Sequence, residues 1–292
     1  MSAHLFVFGP GYTARFAVAK AQEAGWRVTA TYRADSDRSA LEAAGIVAVH
    51  ASAGALPVDA DVTHILVAAP PLETGDAMLE SWESWLNAQD QLHSIIYLSS
   101  TNVYGNHNGA WVDENTPPAP TLERGRRRLS AEQAWQALAK DTGTRLYIFR
   151  LAGIYGPRRN ALVSVKNGTA RRVIKGGQVF SRIHVEDIAA AIWVAANSHN
   201  TGGIFNLADD RPCEPQLVIE TAAALLDMKP PAAVMFEDAD LSAAARSFYG
   251  ENKRVKNDKI KTELGFRFKY PNYKKGLNAL VEDFALDTGV QK

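Results

Sequence analysis

An apolar run, His4-Leu5-Phe6-Val7-Phe8, leads straight into Gly9-Pro10-Gly11-Tyr12-Thr13-Ala14 and then into an alanine-rich stretch with helical spacing. A buried strand, a G-x-G-x-x-A turn and a helix, in that order, set a pyrophosphate on the helix N-terminus. There, unpaired N–H groups and the helix dipole favour an anion. Gly9 permits the tight turn, Gly11 lets backbone approach the diphosphate, and Ala14 allows close helix–strand packing. Pro10, Tyr12 and Thr13 complete the cradle. A Gly-Pro-Gly turn can also simply join a strand to a helix. The strand before it, the helix after it and a second strand at Arg27–Tyr32 favour a dinucleotide site.

The alternation continues along the chain. Short apolar or β-branched runs at Arg27–Tyr32, Ile46–His50, His64–Ala69, Ser94–Ser99 and Arg145–Arg150 read as strands. Between them Ala14–Ala24 (closed by Gly25), Asp76–Leu92 and Leu129–Lys140 (ending near Gly143) read as helices. Strands alternating with helices predict a parallel sheet covered on both faces. After residue 157 the rhythm changes. Lys166–Gly177 is polar and glycine-punctuated, and predicts helix and loop outside the sheet. Val185–Asn197 predicts a further helix and Ile204–Leu207 a strand. The remainder predicts helical segments broken at Pro230-Pro231, Gly250, Gly265 and Pro271.

Composition removes several function classes. Lys+Arg and Asp+Glu both total 32, so no global basic field points to nucleic acid as a partner. The one cysteine, Cys213, leaves no internal disulfide and no cysteine-rich metal site. The histidines are scattered without an H-x-x-x-H spacing, so no metal is expected, and no G-x-S-x-G or Walker pattern occurs. No apolar run nears the roughly 18 residues of a membrane helix, and the start lacks signal-peptide features; a soluble, cytoplasmic protein without membrane attachment is expected. The Trp82/Trp85 stripe reads either as core or as a helix-pairing face for a homodimer.

The end of the second strand bears on cofactor choice. NAD sites commonly place an acid there for the ribose 2′-hydroxyl, whereas NADP sites place an arginine for the 2′-phosphate. Here the strand runs Val28-Thr29-Ala30-Thr31-Tyr32-Arg33, with no acid before Asp35 and a further arginine at Arg38. Arg33 therefore favours NADP(H) over NAD(H), the alternative being an ordinary solvated strand-end arginine.

Five segments in order carry a family resemblance. They are Tyr97-Leu98-Ser99-Ser100-Thr101-Asn102-Val103-Tyr104-Gly105, Arg150-Leu151-Ala152-Gly153-Ile154-Tyr155-Gly156-Pro157, Ile183-His184-Val185-Glu186-Asp187-Ile188-Ala189, Phe205-Asn206-Leu207, and Asn252-Lys253-Arg254-Val255 with the following Glu263-Leu264-Gly265-Phe266. Together they resemble the extended short-chain dehydrogenase/reductases, the superfamily of NAD-dependent epimerases and dehydratases. The resemblance implies an α/β fold, a doubly wound parallel sheet of the Rossmann type with a small, mainly helical C-terminal substrate lobe. Residues 1–157 and 182–208 would form the cofactor domain, and 158–181 with 209–292 the small lobe. It implies that Ser100 is the catalytic hydroxyl holding a substrate carbonyl or alcohol; strand-end capping is its structural alternative. It further implies Ala68, Ala69 and Pro70 on the adenosine side, Ser99, Leu151, Ala152 and Gly153 along the cofactor, and Asn102, Tyr155 and Arg254 at the substrate.

One departure matters. The family opens its next helix with Y-x-x-x-K, a phenol that moves the proton and a lysine that grips the nicotinamide ribose. The matching stretch here is Arg124-Gly125-Arg126-Arg127-Arg128-Leu129-Ser130-Ala131-Glu132, with Arg124 in the tyrosine place and Arg128 in the lysine place. A guanidinium stays protonated near neutral pH, so it can hold a ribose hydroxyl but cannot replace a phenol. The arginine run reads either as a solvated helix start or as a site for an anion. Loss of the pair resembles an atypical, YeeZ-like group of bacterial members. Tyr104, Tyr155 and His107 remain as acid/base candidates, each with a packing alternative. Two functions stay open. One is an NADP-dependent oxidoreductase, or an epimerase or dehydratase, on a small hydroxyl- or carbonyl-bearing substrate, nucleotide-sugars included. The other is a non-catalytic NADP(H)-binding redox sensor.

Overall fold

Period-two alternation in the first strand sets both layers of the protein: Leu5 and Val7 enter one core, Phe6 and Phe8 the other. The computed structural model describes residues 3–56 and 61–287. Its first half alternates β1 (His4–Phe8), α1 (Tyr12–Glu23), β2 (Arg27–Tyr32), α2 (Asp35–Ala43), β3 (Val47–His50), β4 (His64–Val67), α3 (Ala77–Asn87) and β5 (Ser94–Ser100). A short β6 (Trp111–Val112) precedes α4 (Glu123–Thr142) and β7 (Arg145–Leu151). Next come β8 (Gly153–Tyr155), α5 (Ala161–Lys166), β9 (Arg172–Ile174), β10 (Arg182–His184), α6 (Val185–Ala196) and β11 (Gly202–Leu207). The chain continues through α7 (Pro215–Leu225), β12 (Ala233–Met235), α8 (Ala243–Phe248), β13 (Arg254–Val255), α9 (Asp258–Glu263) and α10 (Tyr273–Asp287).

Seven strands form one sheet in the order β11-β7-β5-β4-β1-β2-β3, parallel throughout. This is the doubly wound Rossmann arrangement. The order reverses beside β1, and the crevice at that switch point opens at the carboxyl ends of the strands. On one face α1 and α6 pack through small side chains, Ala14, Ala17 and Ala21 against Ala191 and Ala195. On the other face Trp82, Leu86 and Trp135 cover Phe6, Phe8, Ile65 and Tyr97. Trp82 is fully buried and its Nε1 donates to Ala51 O at 2.8 Å, so the tryptophan stripe of α3 is core. A third, separate core joins α5, α7 and α10 through Leu162, Val165, Ala222 and Leu277 in the more helical C-terminal part. Among the described residues no helix is long and apolar enough to cross a membrane.

The predicted strands and helices recur to within a few residues except at residues 166–177, at the end of α3, at the start of α4 and in the helical remainder, which also holds β12 and β13. Residues 166–177, read as helix and loop, include β9, which pairs in parallel with β12 outside the main sheet. Only Val173 of β9 is buried, so three residues leave no periodicity to read. Helix α4 begins at Glu123, earlier than Leu129, which brings the whole arginine run into its first turns.

Beneath the carboxyl edge of the sheet lies a buried ion pair. Glu132 of α4 takes a forked contact from Arg150 of β7, Nε to Oε1 at 3.1 Å and Nη2 to Oε2 at 2.7 Å. Ser99 of β5 also donates to Glu132 Oε1. The two charged side chains are only 1% and 2% exposed, so neither can fall back on water. Glu132→Ala leaves the Arg150 charge unpaired in the interior and should lower the unfolding free energy by about 3–5 kcal/mol. Urea unfolding of the variant measures it; a loss under about 1 kcal/mol contradicts a structural role for the pair.

Candidate functional site

A cleft of about 620 Å³ opens at the carboxyl edge of the sheet. Its walls come from the start of α1, the end of β5, the first turns of α4, the β7–β8 junction and residues 179–182, closed by Phe248, Glu251, Lys253 and Val255. The glycine turn is built as its sequence predicts. Gly9 sits at φ +79°, and a Cβ there would lie 2.8 Å from the Ala69 backbone; only glycine fits. Around Gly11 a Cβ would meet nothing within 4 Å, so the backbone is open to an approaching group. Among the described residues no side chain caps α1, and its first-turn N–H groups remain available to an anion.

Of the residues singled out by sequence, Gly11, Tyr12, Thr13, Ala68, Ser99, Ser100, Asn102, Arg128, Leu151, Ala152, Gly153 and Tyr155 line this cleft. Among the described residues Ser100 keeps its proton free: its Oγ accepts from the Asn102 N–H at 3.2 Å. Gly9, Pro10, Ala69 and Pro70 are not in the wall. They shape the turn behind it, where Ala68 and Ala69 N–H both bond Phe8 O.

Tyr104, Tyr155 and His107 are withdrawn as acid/base candidates, and Arg254 as a substrate contact, by their surroundings. Tyr104 is fully buried outside the cleft, its hydroxyl donating to Asn206 Oδ1 at 2.8 Å and its ring under the Arg150 guanidinium. Burial pushes its pKa up. Tyr155 lines the cleft with its ring, but its hydroxyl is buried against Gly276 of α10, where a Cβ would lie 2.1 Å away. Burial holds that phenol far above the ordinary tyrosine range. Arg254 turns away and donates to Gly109 O, beyond the walls. His107 likewise bonds Tyr104 O at 3.0 Å outside the cleft.

The arginine run divides by helix face. Arg126 and Arg127 pair with Glu123 at 2.8 and 3.3 Å, and Arg127 reaches Glu73 at 2.6 Å. These two are the solvated helix start. Arg124 and Arg128, one helical turn apart, both face the cleft. Arg128 is anchored by Nη1 to Leu98 O at 2.8 Å and Tyr97 Oη at 3.1 Å. Gly125 between them is required: its Cβ would stand 2.7 Å from Asn102 O, so α4 presses directly on the turn that follows Ser100.

Lys253 and Glu251 are among the wall residues that sequence alone did not single out. Lys253 Nζ donates to Gly105 O at 2.7 Å and to Glu251 Oε2 at 2.8 Å, and Thr121 donates to the other Glu251 oxygen at 2.8 Å. Burial pulls the Lys253 pKa down, with Glu251 opposing. The Asn252-Lys253-Arg254 motif was the available signal, but it does not tell which cation faces inward. Among the described residues no group of His, Cys, Asp and Glu is placed to hold a metal ion.

The family model for NAD dependent epimerases and dehydratases matches residues 7–208, from within β1 to just past β11. The chain belongs to that family. A conserved protein of unknown function from Silicibacter pomeroyi DSS is 46% identical, with a TM-score of 0.90 over 97% of this chain and 99% of its own. Protein YeeZ of Escherichia coli (strain K12) is 32% identical over 178 residues, 61% of this chain. The match spans 59% of YeeZ, about three fifths of that relative's length. The dTDP-glucose 4,6-dehydratase of Bacillus anthracis, solved with NAD, shares the family fold at 17% identity, with a TM-score of 0.76 over 99% of this chain and 98% of its own.

These relatives correct the expectation of NADP(H). The epimerase and dehydratase structures of this fold that are described with a dinucleotide hold NAD, and NAD dependence names the family itself. The physical reason lies in this chain's own strand end. Arg33 is exposed and outside the cleft wall, and Arg38 is occupied by Glu42 at 2.8 Å and by the Tyr32 ring. Arg33 is thus a solvated strand-end arginine, the alternative reading of its position.

Behind the cleft wall, Asp209 is buried with Oδ1 accepting from Arg211 N–H and Oδ2 without a partner among the described residues. Burial raises its pKa to about 7. The folded protein thus keeps this proton to higher pH than the unfolded chain, whose aspartates titrate near about 3.9. Stability from this group is full below about pH 4 and is lost as pH rises to about 7. Asp209→Asn should therefore gain on the parent protein across that window and hold a constant lead above it. Thermal unfolding from pH 4 to 8 checks this; a lead that shrinks with rising pH contradicts it.

Proposed function

We propose that this family member is an NAD-dependent oxidoreductase of epimerase or dehydratase type, acting on a small hydroxyl- or carbonyl-bearing substrate, nucleotide-sugars included. The observation that carries the reading is one shared cavity: the uncapped glycine turn of α1 and the hydroxyl of Ser100 line the same cleft. The residues present fit NAD. First-turn N–H groups at Tyr12 and Thr13 would take the diphosphate, Ala68 would border the adenosine, and Leu151–Gly153 with Arg128 would border the nicotinamide ribose. NAD, when bound, supplies a hydride acceptor or donor.

The chain's own groups do the rest. Ser100 donates its hydroxyl proton to a substrate oxygen and fixes the substrate's approach. Arg128, held at β5 by Leu98 O and Tyr97, offers its remaining N–H groups to ribose hydroxyls. The proton of the reacting alcohol passes to Lys253, in place of a phenol. The amine lies in the wall; burial lowers its pKa, and the Glu251 carboxylate at 2.8 Å opposes that by stabilising the ammonium.

Calorimetry with NAD⁺ tests the reading at its base. The parent protein should bind, and Gly11→Val should weaken binding roughly tenfold or more while circular dichroism stays unchanged, because the new side chain fills the diphosphate approach. Full affinity in a folded Gly11→Val protein would place the dinucleotide elsewhere. In the NAD⁺-dependent turnover of a nucleotide-sugar or hydroxy-acid substrate, Lys253→Met should lower kcat by about 10²–10⁴-fold. An unchanged kcat removes the lysine from proton transfer.

A further inference from the structure

The cleft is strongly cationic in a protein with no net charge. Among the described residues its wall carries Arg124, Arg128, Arg159, Arg182 and Lys253 against one carboxylate, Glu251, and that carboxylate is occupied by Lys253 and Thr121. A dinucleotide diphosphate answers to the α1 end of this field. It leaves the opposite wall uncompensated, where Arg124 stands.

Arg124 is held in an unusual way. Its Nη1 donates to Ser247 Oγ of α8 at 2.7 Å, and its guanidinium lies over the Phe248 ring at 4.2 Å. Both contacts come from the C-terminal part of the chain, so Arg124 bridges α4 and α8. The remaining edge, Nε with Nη2, is shielded from water and has no partner among the described residues. Those two N–H groups point the same way in the guanidinium plane and form the fork that matches two oxygens of one anion. Leaving two charged donors unpaired inside a protein is costly, so the edge calls for an acceptor that the chain itself does not supply.

The position of the fork decides what the acceptor belongs to. Gly125 presses α4 onto Asn102 O, which sets Arg124 beside the turn led by Ser100. An anion on Arg124 therefore shares the cleft with the oxygen that Ser100 holds. We propose that Arg124 is a substrate anchor: its Nε/Nη2 edge takes a two-oxygen anionic group, a carboxylate or phosphate ester, carried by the substrate near its reacting hydroxyl or carbonyl. The substrate class is then an acid whose charge lies near the reacting carbon, and neutral sugars or alcohols are poor ligands. Phe248, half exposed on α8, is the side chain that shifts as the anion enters. The proposal rests on the reading of this cleft as the substrate site.

Calorimetric titration of malonate, methyl phosphate and neutral malonamide into the NAD⁺-saturated protein tests it. Malonate, methyl phosphate or both should bind saturably, malonamide should not, and the preferred anion distinguishes carboxylate from phosphate ester. Arg124→Gln should weaken that binding roughly tenfold or more. Arg124→Lys, which keeps the charge and loses the fork, should also weaken it and guards against a folding defect in the first variant. The affinity for NAD⁺ itself, measured in each protein, should stay within about twofold, which separates failure of this proposal from failure of the cofactor reading. Absence of saturable anion binding to the parent protein, or equal binding to all three proteins, overturns the proposal.

Discussion

Inside the protein the Glu132 carboxylate receives Arg150 and Ser99 at once, and this joins α4 to the ends of β7 and β5. Everything at the site depends on where α4 starts relative to those strand ends. Ser100 follows Ser99 in the chain, Leu151 follows Arg150, and Arg124 and Arg128 lie on the turns of α4 that precede Glu132. A buried charge pair of this kind contributes little net stability relative to an apolar pair, but removing either partner is severely destabilising. Its geometric consequence is larger than its energy: three elements that line the cleft are held in one register. Gly125 adds the second fixed point, because the helix start can press on Asn102 O only where no Cβ intervenes.

The sheet and the glycine turn are legible in the sequence because their signals are local. β1 reads from five consecutive apolar-compatible residues, and its alternation supplies two cores. Gly9 reads from the motif, and its reason is visible only in the fold, where Ala69 leaves no room for a Cβ. Side-chain direction is not local. Tyr104 and Tyr155 occupy promising places in their motifs, yet Asn206 engages one hydroxyl and Gly276 faces the other, each more than a hundred residues away. In the same way Lys253 and Arg254 are neighbours in the chain, and only one of them enters the cleft. The short β9–β12 pairing leaves no periodicity at all, since a strand of three residues buries one side chain.

The run Arg124 to Arg128 shows how one sequence feature can hold two roles. Positive charge at a helix N-terminus opposes the macrodipole. Glu123 relieves part of that by pairing with Arg126 and Arg127 on the solvent side. The two arginines on the other face are held differently, Arg128 by the end of β5 and Arg124 by α8. A basic cleft in a chain of zero net charge is the result, suited first to a dinucleotide and then to an acidic substrate. Arg33 carries the opposite lesson: a charge at the expected strand end can lie exposed and outside the cleft.

A crystal structure of the protein grown with NAD⁺ tests the central claim, that one cleft holds the dinucleotide and presents its reactive end to Ser100. The account predicts diphosphate oxygens within about 2.7–3.2 Å of the first-turn N–H groups of α1, and the nicotinamide ribose within the same distance of Arg128. The nicotinamide ring should then face the Ser100 hydroxyl. A dinucleotide seated away from α1, or one whose nicotinamide leaves the cleft with Ser100 and Arg128 untouched, contradicts it.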